Sequence, residues 1–486
     1  MTNLEQSVDM RMRVSRPSRW RALGFVGPAA MISVGYMDPG NWATDLEGGA
    51  RFGYQLMWVL LASNLIAVVL QSLAARLGII GRMDLAQACR ACYARPVALA
   101  LWLLCETAII ACDLAELIGG AIALNLLFGI PLAWGALITG VDVMLILVLQ
   151  HYGIRKLEAV VAALVLTIGA CMAVEMLLVQ PSLSAIAGGF VPRLDSASLF
   201  VAIGILGATV MPHNLYLHSS LVQTRRIDAN PAAQREALRY NLVDTVLALN
   251  IAFLINAAIL VLAASTFFSR GIVVTELQQA HELLTPLLGT TLASTAFAIA
   301  LLASGQSSTI TGTLAGQVVM EGFVRLRMSP IKRRLLTRAI AIVPAVAVLA
   351  TAGEGGVLQL LVLSQVILSL QLPFAIVPLI RFTSAPRIMG AFASPPWLRR
   401  VATCATLLII GLNVWLVMRV LAPGSADDAP GLGRLAIGTM AVLCGALLAW
   451  IAWAPLRLAP GAILVENPET GKNSDDSASG PMAAAH

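Results

Sequence analysis

Apolar runs of about 20 residues recur along most of this 486-residue chain, and no other feature constrains its fold as tightly. A run of that length crosses the hydrocarbon core of a bilayer as a helix, because a lipid-exposed backbone must satisfy its own hydrogen bonds. Length alone would suggest about three soluble domains. Hydropathy overrules that reading: 58% of the residues are hydrophobic, only 12% are charged, and the mean hydropathy is +0.83. The expected architecture is an all-α polytopic membrane protein. Its spans, about twelve in number, fall near residues 23–50, 55–77, 97–128, 131–150, 156–179, 199–224, 241–267, 290–324, 334–352, 356–380, 399–421 and 432–455.

Charge orients the spans. Arg76, Arg82, Arg90 and Arg95, then Arg155 and Lys156, then Arg225, Arg226, Arg235 and Arg239 lie in alternate loops. The positive-inside rule puts those loops, and both termini, in the cytoplasm. Residues 1–21 read as a cytoplasmic segment without a cleavage site, 22–455 as the transmembrane domain, and 466–486 as a disordered polar tail. The net charge of +6 is spread over loops without an aromatic-interleaved patch, so nucleic acid is not an expected partner. The bilayer is, and no obligate protein partner is expected. The chain lacks long external loops, which suits the cytoplasmic membrane of a prokaryote. Seven cysteines are scattered, and Cys89-Arg90-Ala91-Cys92 in a basic loop reads as reduced thiols, since no second pair completes a zinc site.

Two spans are interrupted at their centres by related tetrapeptides, Asp38-Pro39-Gly40-Asn41 and Met211-Pro212-His213-Asn214. Laying Asp38 on Met211 also lays Pro39 on Pro212 and Asn41 on Asn214. The interrupted spans are the first and the sixth, which run in opposite directions. That suggests inverted repeats over 22–180 and 198–382, with two additional helices over 399–455. Paired interrupted spans mark the binding site of a transporter. Pro39, Gly40 and Pro212 are the expected helix-breaking residues.

Each proline removes an N–H and releases the carbonyl four residues back, Gly35 for Pro39 and Ala208 for Pro212. A released carbonyl at membrane depth must line a cavity or bind something. Asp38 adds a carboxylate, Asn41 a neutral oxygen, Met211 a thioether and Ala208 a carbonyl, a cation site of mixed hardness. Oxygen alone suits Mg²⁺ and Ca²⁺, while sulfur favours softer transition metals. Met211 in isolation would read as core filler; beside Pro212 and His213, opposite Asp38, it reads as a ligand. In the third span Glu106, Asp113 and Glu116 fall on one stripe at about 100° per residue. Three acids on one intramembrane face suggest a proton relay, or ion pairs with a residue such as Arg338, and the two readings are compatible. His213 adds a group that titrates near neutrality, or a hydrogen-bonded core histidine.

The stretch from Gly35 to Asp45 resembles the first signature of the Nramp divalent-metal transporters, and Gly207 to Leu215 resembles the second. Gly305-Gln306-Ser307-Ser308-Thr309 with Met320-Glu321-Gly322-Phe323, and Ser364-Gln365-Val366 through Gln371-Leu372-Pro373-Phe374, are similar to that family as well. The likeness covers roughly residues 22–420. It implies a leucine-transporter-like fold, Mn²⁺ and Fe²⁺ as cargo rather than cofactors, and coupling to proton entry. It implies metal ligation by Asp38, Asn41, Met211 and the Ala208 carbonyl, joined by Gln365 in some conformations. It assigns proton transfer to Asp38, Asp113, Glu116 and His213, with Arg338 downstream.

The competing expectation is a sodium-coupled amino-acid symporter on the same fold. Asp38 would repel its substrate's carboxylate and Met211 would have no task. A passive channel is set apart by its indifference to pH. An enzyme is not expected: a membrane metalloprotease needs a set such as HExxH, and His213 and His218 have no Glu between them.

Overall fold

The computed structural model describes residues 27–140, 154–225, 227–228, 230–274, 276–325, 332, 340, 355–422 and 431–457. The segments 1–21 and 466–486, most of the span expected at 334–352, and Arg338 lie outside the described residues. Among the described residues every regular element is a helix. In order these are α1 (Pro28–Ser33), continued by a 3₁₀ turn Val34–Met37, α2 (Pro39–Phe52), α3 (Met57–Ile80), α4 (Leu85–Cys92), α5 (Arg95–Phe128) and α6 (132–140). Next come α7 (Ile154–Val179), α8 (Leu183–Gly188), α9 (Ser196–Thr209), α10 (Pro212–Leu221), α11 (Pro231–Thr266) and α12 (Leu277–Leu288). The chain closes with α13 (Thr291–Val324), α14 (Gly355–Ser384), α15 (Pro386–Met389), α16 (Pro396–Leu421) and α17 (Gly431–Trp453).

Eight described helices are long and apolar enough to cross a membrane. The 34-residue α13 falls outside that set, and Gln306 to Thr313 place amide and hydroxyl groups at its middle. Both breaks fall where the sequence puts them: α1 and its 3₁₀ turn end at Asp38, and α9 stops at Thr209 before α10 begins at Pro212. The short helices α8 and α12 lie in connections that read as loops. The Cys89–Cys92 stretch is also not a loop. It forms most of α4, with both thiols buried and unoxidised.

Helices surrounded by lipid gain little from apolar contact with one another, so close backbone approach at small residues does much of the packing. A Cβ on Gly49 of α2 would strike the Leu260 carbonyl of α11 and come within 2.7 Å of Ala263 Cβ. Gly78 of α3 lies equally close to the Ser219 backbone of α10, and Gly119 of α5 lies against Pro39. The long α13 forms the wall that supports the breaks, packing on α5, α7 and α10.

On the flank of the bundle Asp84 caps α4 reciprocally. Its Oδ1 accepts from the Gln87 N–H at 2.8 Å, and its own N–H donates to Gln87 Oε1. Leu85 N–H donates to Ser219 Oγ at 2.9 Å, which ties α4 to α10. Burial pushes the Asp84 carboxyl up to about 7, against the Gln87 and Ala86 amides and Arg90, which pull it down. Folding therefore favours the protonated acid, and that contribution is lost as pH rises through about 7.

Two outcomes follow from this packing and capping. Gly49→Val should lower the melting temperature by several degrees, corresponding to about 1–3 kcal/mol of overpacking, while Gly169→Ala, which meets open space, should be neutral. Asp84→Asn keeps the cap but cannot ionise. By scanning fluorimetry it should melt above wild type near pH 8, with the gap closing toward about pH 5.

Candidate functional site

Pro39 has no N–H to lose and so starts a helix comfortably, while the residue before it is pushed out of the helical region. Asp38 accordingly adopts φ −68°, ψ 167° and becomes the N-cap of α2. Its Oδ1 accepts from the Asn41 N–H at 2.8 Å and from Asn41 Nδ2 at 2.7 Å. The carboxylate thus sits on the positive end of the half-helix that its own break creates. Its other oxygen, Oδ2, has no hydrogen-bond partner among the described residues.

The backbone carbonyls of this first break are taken up by side chains. Gly35 O accepts from Asn41 Nδ2 at 3.4 Å, Tyr36 O from Asn256 Nδ2 at 2.6 Å, and Met37 O from Ser304 Oγ. In the second break Val210 and Met211 leave helical geometry, and Ala208 O accepts from Asn41 Nδ2 at 3.2 Å. One amide nitrogen therefore joins Asp38, Gly35 and Ala208. Three oxygens around it also fix which end of that carboxamide is nitrogen. Asn41 Oδ1 accepts from Asn256 Nδ2 at 3.4 Å.

Gln365 of α14 is wedged between the breaks. A Cβ on Gly40 would land on its side-chain amide, and a Cβ on Gly207 would land on its backbone carbonyl oxygen. Gly40 lies in the first turn of α2 and is not among the positive-φ residues, so there it makes room for Gln365. Gln365 Nε2 donates to Ser364 Oγ at 2.9 Å, and its Oε1 has no partner among the described residues. Met211 is fully buried and packs with Ala108, Ala111 and Cys112 of α5 and Leu368 of α14.

The acids of α5 divide. Asp113 and Glu116 are fully buried, and both carboxylates converge on Gly312 of α13, where a Cβ would lie 2.9 Å from Glu116 Oε1 and 3.7 Å from Asp113 Oδ1. Thr309 Oγ1 donates to Glu116 Oε2 at 3.0 Å. Glu106 lies nearer the start of α5, is partly exposed, and accepts from Trp102 Nε1 at 3.1 Å. His213 is buried at the start of α10, and its Nδ1 has no partner among the described residues. His218 is held between Gln71 and Asn241.

Asp38, Asn41 and Ala208 are thus joined by direct bonds, Gln365 abuts them through Gly40, and Met211 follows Ala208 by three residues. Sequence reasoning missed Ser304 and Asn256, which hold the first break open. Their signal was a polar residue in the middle of an apolar span. It also passed over Asp45, a buried acid on α2 within range of Asp38's charge, with neither carboxylate oxygen bonded among the described residues.

Two broken helices that cross within a membrane bundle, with an acid, an amide and a carbonyl bonded at the crossing, define a transporter of the broken-helix type. The chain belongs to the Nramp family: the model described as natural resistance-associated macrophage protein-like matches residues 29–419. The divalent metal cation transporter MntH of Xanthomonas campestris pv. campestris is 58% identical over 411 residues, covering 83% of this chain and 93% of that protein. MntH of Listeria monocytogenes is 52% identical over 406 residues, 82% of this chain and 91% of that protein. The crystal structure of the Eremococcus coleocola manganese transporter, in complex with an aromatic bis-isothiourea substituted compound, superposes with a TM-score of 0.83 at 36% identity, covering 91% of this chain and 97% of that one. Mhp1, a nucleobase-cation-symport-1 family transporter, shares the fold alone, with a TM-score of 0.57 at 17% identity, covering 90% of this chain and 95% of that one. The leucine-transporter-like architecture expected from the sequence is the one observed.

Ser304→Ala removes the side-chain donor to Met37 O. Leaving that buried carbonyl unbonded should cost about 1–3 kcal/mol, read as a fall of a few degrees in melting temperature, with Ser304→Thr recovering most of it.

Proposed function

We propose that this protein is a proton-coupled symporter that imports Mn²⁺ and Fe²⁺ across the cytoplasmic membrane by alternating access. The observation that carries the reading is the crossing itself, where Asp38 Oδ1 and the Ala208 carbonyl share one amide donor and Asp38 Oδ2 has no partner among the described residues. Asp38, Asn41, Ala208 and Met211 ligate the ion there, and Gln365 joins from between Gly40 and Gly207. The thioether of Met211 gives preference for transition metals over Ca²⁺. The names of the relatives, divalent metal cation transporter and manganese transporter, support the same cargo.

Proton and ion move inward together, and Asp38 serves both. Asp38 ligates the metal and receives the proton in turn, and Asp113, Glu116 and His213 carry the proton inward, with Glu106 and Arg338 nearer the cytoplasm. Buried Asp113 and Glu116 facing a glycine, with Thr309 as local donor, support this route. Residues 22–180 and 198–382 act as inverted repeats that rock around the crossing, and 399–455 flank them. Both termini lie in the cytoplasm, and function requires neither a resident cofactor nor an obligate protein partner.

In proteoliposomes wild type should take up Mn²⁺ several-fold faster at an external pH of about 5.5 than at about 7.5, because an acidic exterior supplies the co-transported proton. Met211→Ala should lose most of its preference for Mn²⁺ over competing Ca²⁺ while retaining acid stimulation. Mn²⁺ uptake that ignores external pH would favour a channel, and no uptake at either pH would restore the organic-solute symporter.

A further inference from the structure

Each break has an asparagine two residues after its proline, yet only one of the two is bonded. Asn41 Nδ2 serves Asp38, Gly35 and Ala208 together. Asn214 occupies the matching place in the second break and lies directly over the first. A Cβ on Gly35 would strike Asn214 Nδ2 and come within 3.2 Å of its Cγ and 3.3 Å of its Oδ1. Asn214 is fully buried, and neither its Nδ2 nor its Oδ1 has a hydrogen-bond partner among the described residues. A buried amide without a bond is costly, and in a native structure it calls for an explanation.

The arrangement is reciprocal. Pro212 releases the Ala208 carbonyl, and Asn41 of the first break takes it. Pro39 releases the Gly35 carbonyl, and Asn214 of the second break stands against that glycine without bonding, while Asn41 reaches back to it over a long 3.4 Å. If Asn41 is to ligate an ion, its carboxamide must turn oxygen toward the ion and withdraw its nitrogen. The Ala208 carbonyl then passes to the ion. The Gly35 carbonyl would be stranded in an apolar interior, and the amide lying against it is that of Asn214.

We infer that Asn214 is a positioning residue that takes over the Gly35 carbonyl when Asn41 releases it to ligate the cargo ion. The inference rests on the metal reading of the site proposed above. It makes the ion-free state the one in which Asn214 is idle and the ion-loaded state the one in which it works. Ion occupancy thereby pulls the start of α10 onto the end of α1 and changes how the two breaks hold each other.

The test is Mn²⁺ binding by calorimetry on the purified full-length protein, with ion-free melting temperatures measured alongside. Asn214→Leu, close in volume and without a donor, should leave the ion-free melting temperature at or above that of wild type and weaken Mn²⁺ binding about tenfold, roughly the worth of one buried hydrogen bond. Asn214→Ala should weaken it to a similar degree. In an Asn41→Ala background the Gly35 carbonyl depends on Asn214 whether or not an ion is present. There Asn214→Leu should lower the ion-free melting temperature and leave the residual Mn²⁺ affinity unchanged. A purely structural asparagine would not move its cost from affinity to stability in this way. Unchanged Mn²⁺ affinity for Asn214→Leu and Asn214→Ala in the otherwise wild-type protein overturns the inference alone, as does a large loss of ion-free stability in both. Failure of wild type itself to bind Mn²⁺ overturns the metal reading and this inference with it.

Discussion

A proline in the middle of a membrane span leaves a carbonyl that the helix no longer bonds and that lipid cannot bond. Most of the site's construction answers that constraint. Three carbonyls of the first break are met by three side chains from three helices: Asn41 of α2, Asn256 of α11 and Ser304 of α13. The Ala208 carbonyl of the second break is met by Asn41 again. The breaks are therefore two surfaces held together by a few directional bonds.

The same bonds set the electrostatics. Asp38 is a carboxylate on a helix N-terminus, with one oxygen committed to Asn41 and the other pointing elsewhere. The two bonds from Asn41 hold that carboxylate in one orientation. The hydroxyl-rich middle of α13 has a second task. Ser304 fixes the break, and about one to two turns further Thr309 and Gly312 receive Glu116 and Asp113, so a single helix registers the acids against the site.

Much of this was legible in the sequence because local chemistry decides it. Asp-Pro-Gly-Asn and Met-Pro-His-Asn dictate a break wherever they fall in an apolar run, and the breaks lie where expected. What was not legible depends on which helix stands opposite. Nothing near Asn256 or Ser304 in the chain says that a carbonyl from the first span waits across the interface. The Cys89–Cys92 stretch read as a loop because the long apolar runs that mark membrane spans pass over an eight-residue helix. Its capping box at Asp84 and Gln87 was the overlooked cue. Gly40 was read as a breaker from its neighbour Pro39, although its use is set by Gln365, more than three hundred positions away.

The glycines around the crossing bear on speed. Gly40, Gly49, Gly78, Gly119 and Gly207 each place bare backbone against a neighbouring helix where a methyl would collide. Interlocked side chains must climb out of one another's grooves before helices can shift, whereas surfaces stripped to the backbone can slide. The half-helices at the crossing are mounted on such faces. What joins the two breaks is the handful of amide and hydroxyl contacts at the crossing. Hold at the crossing and smoothness along its faces thus fall to different atoms.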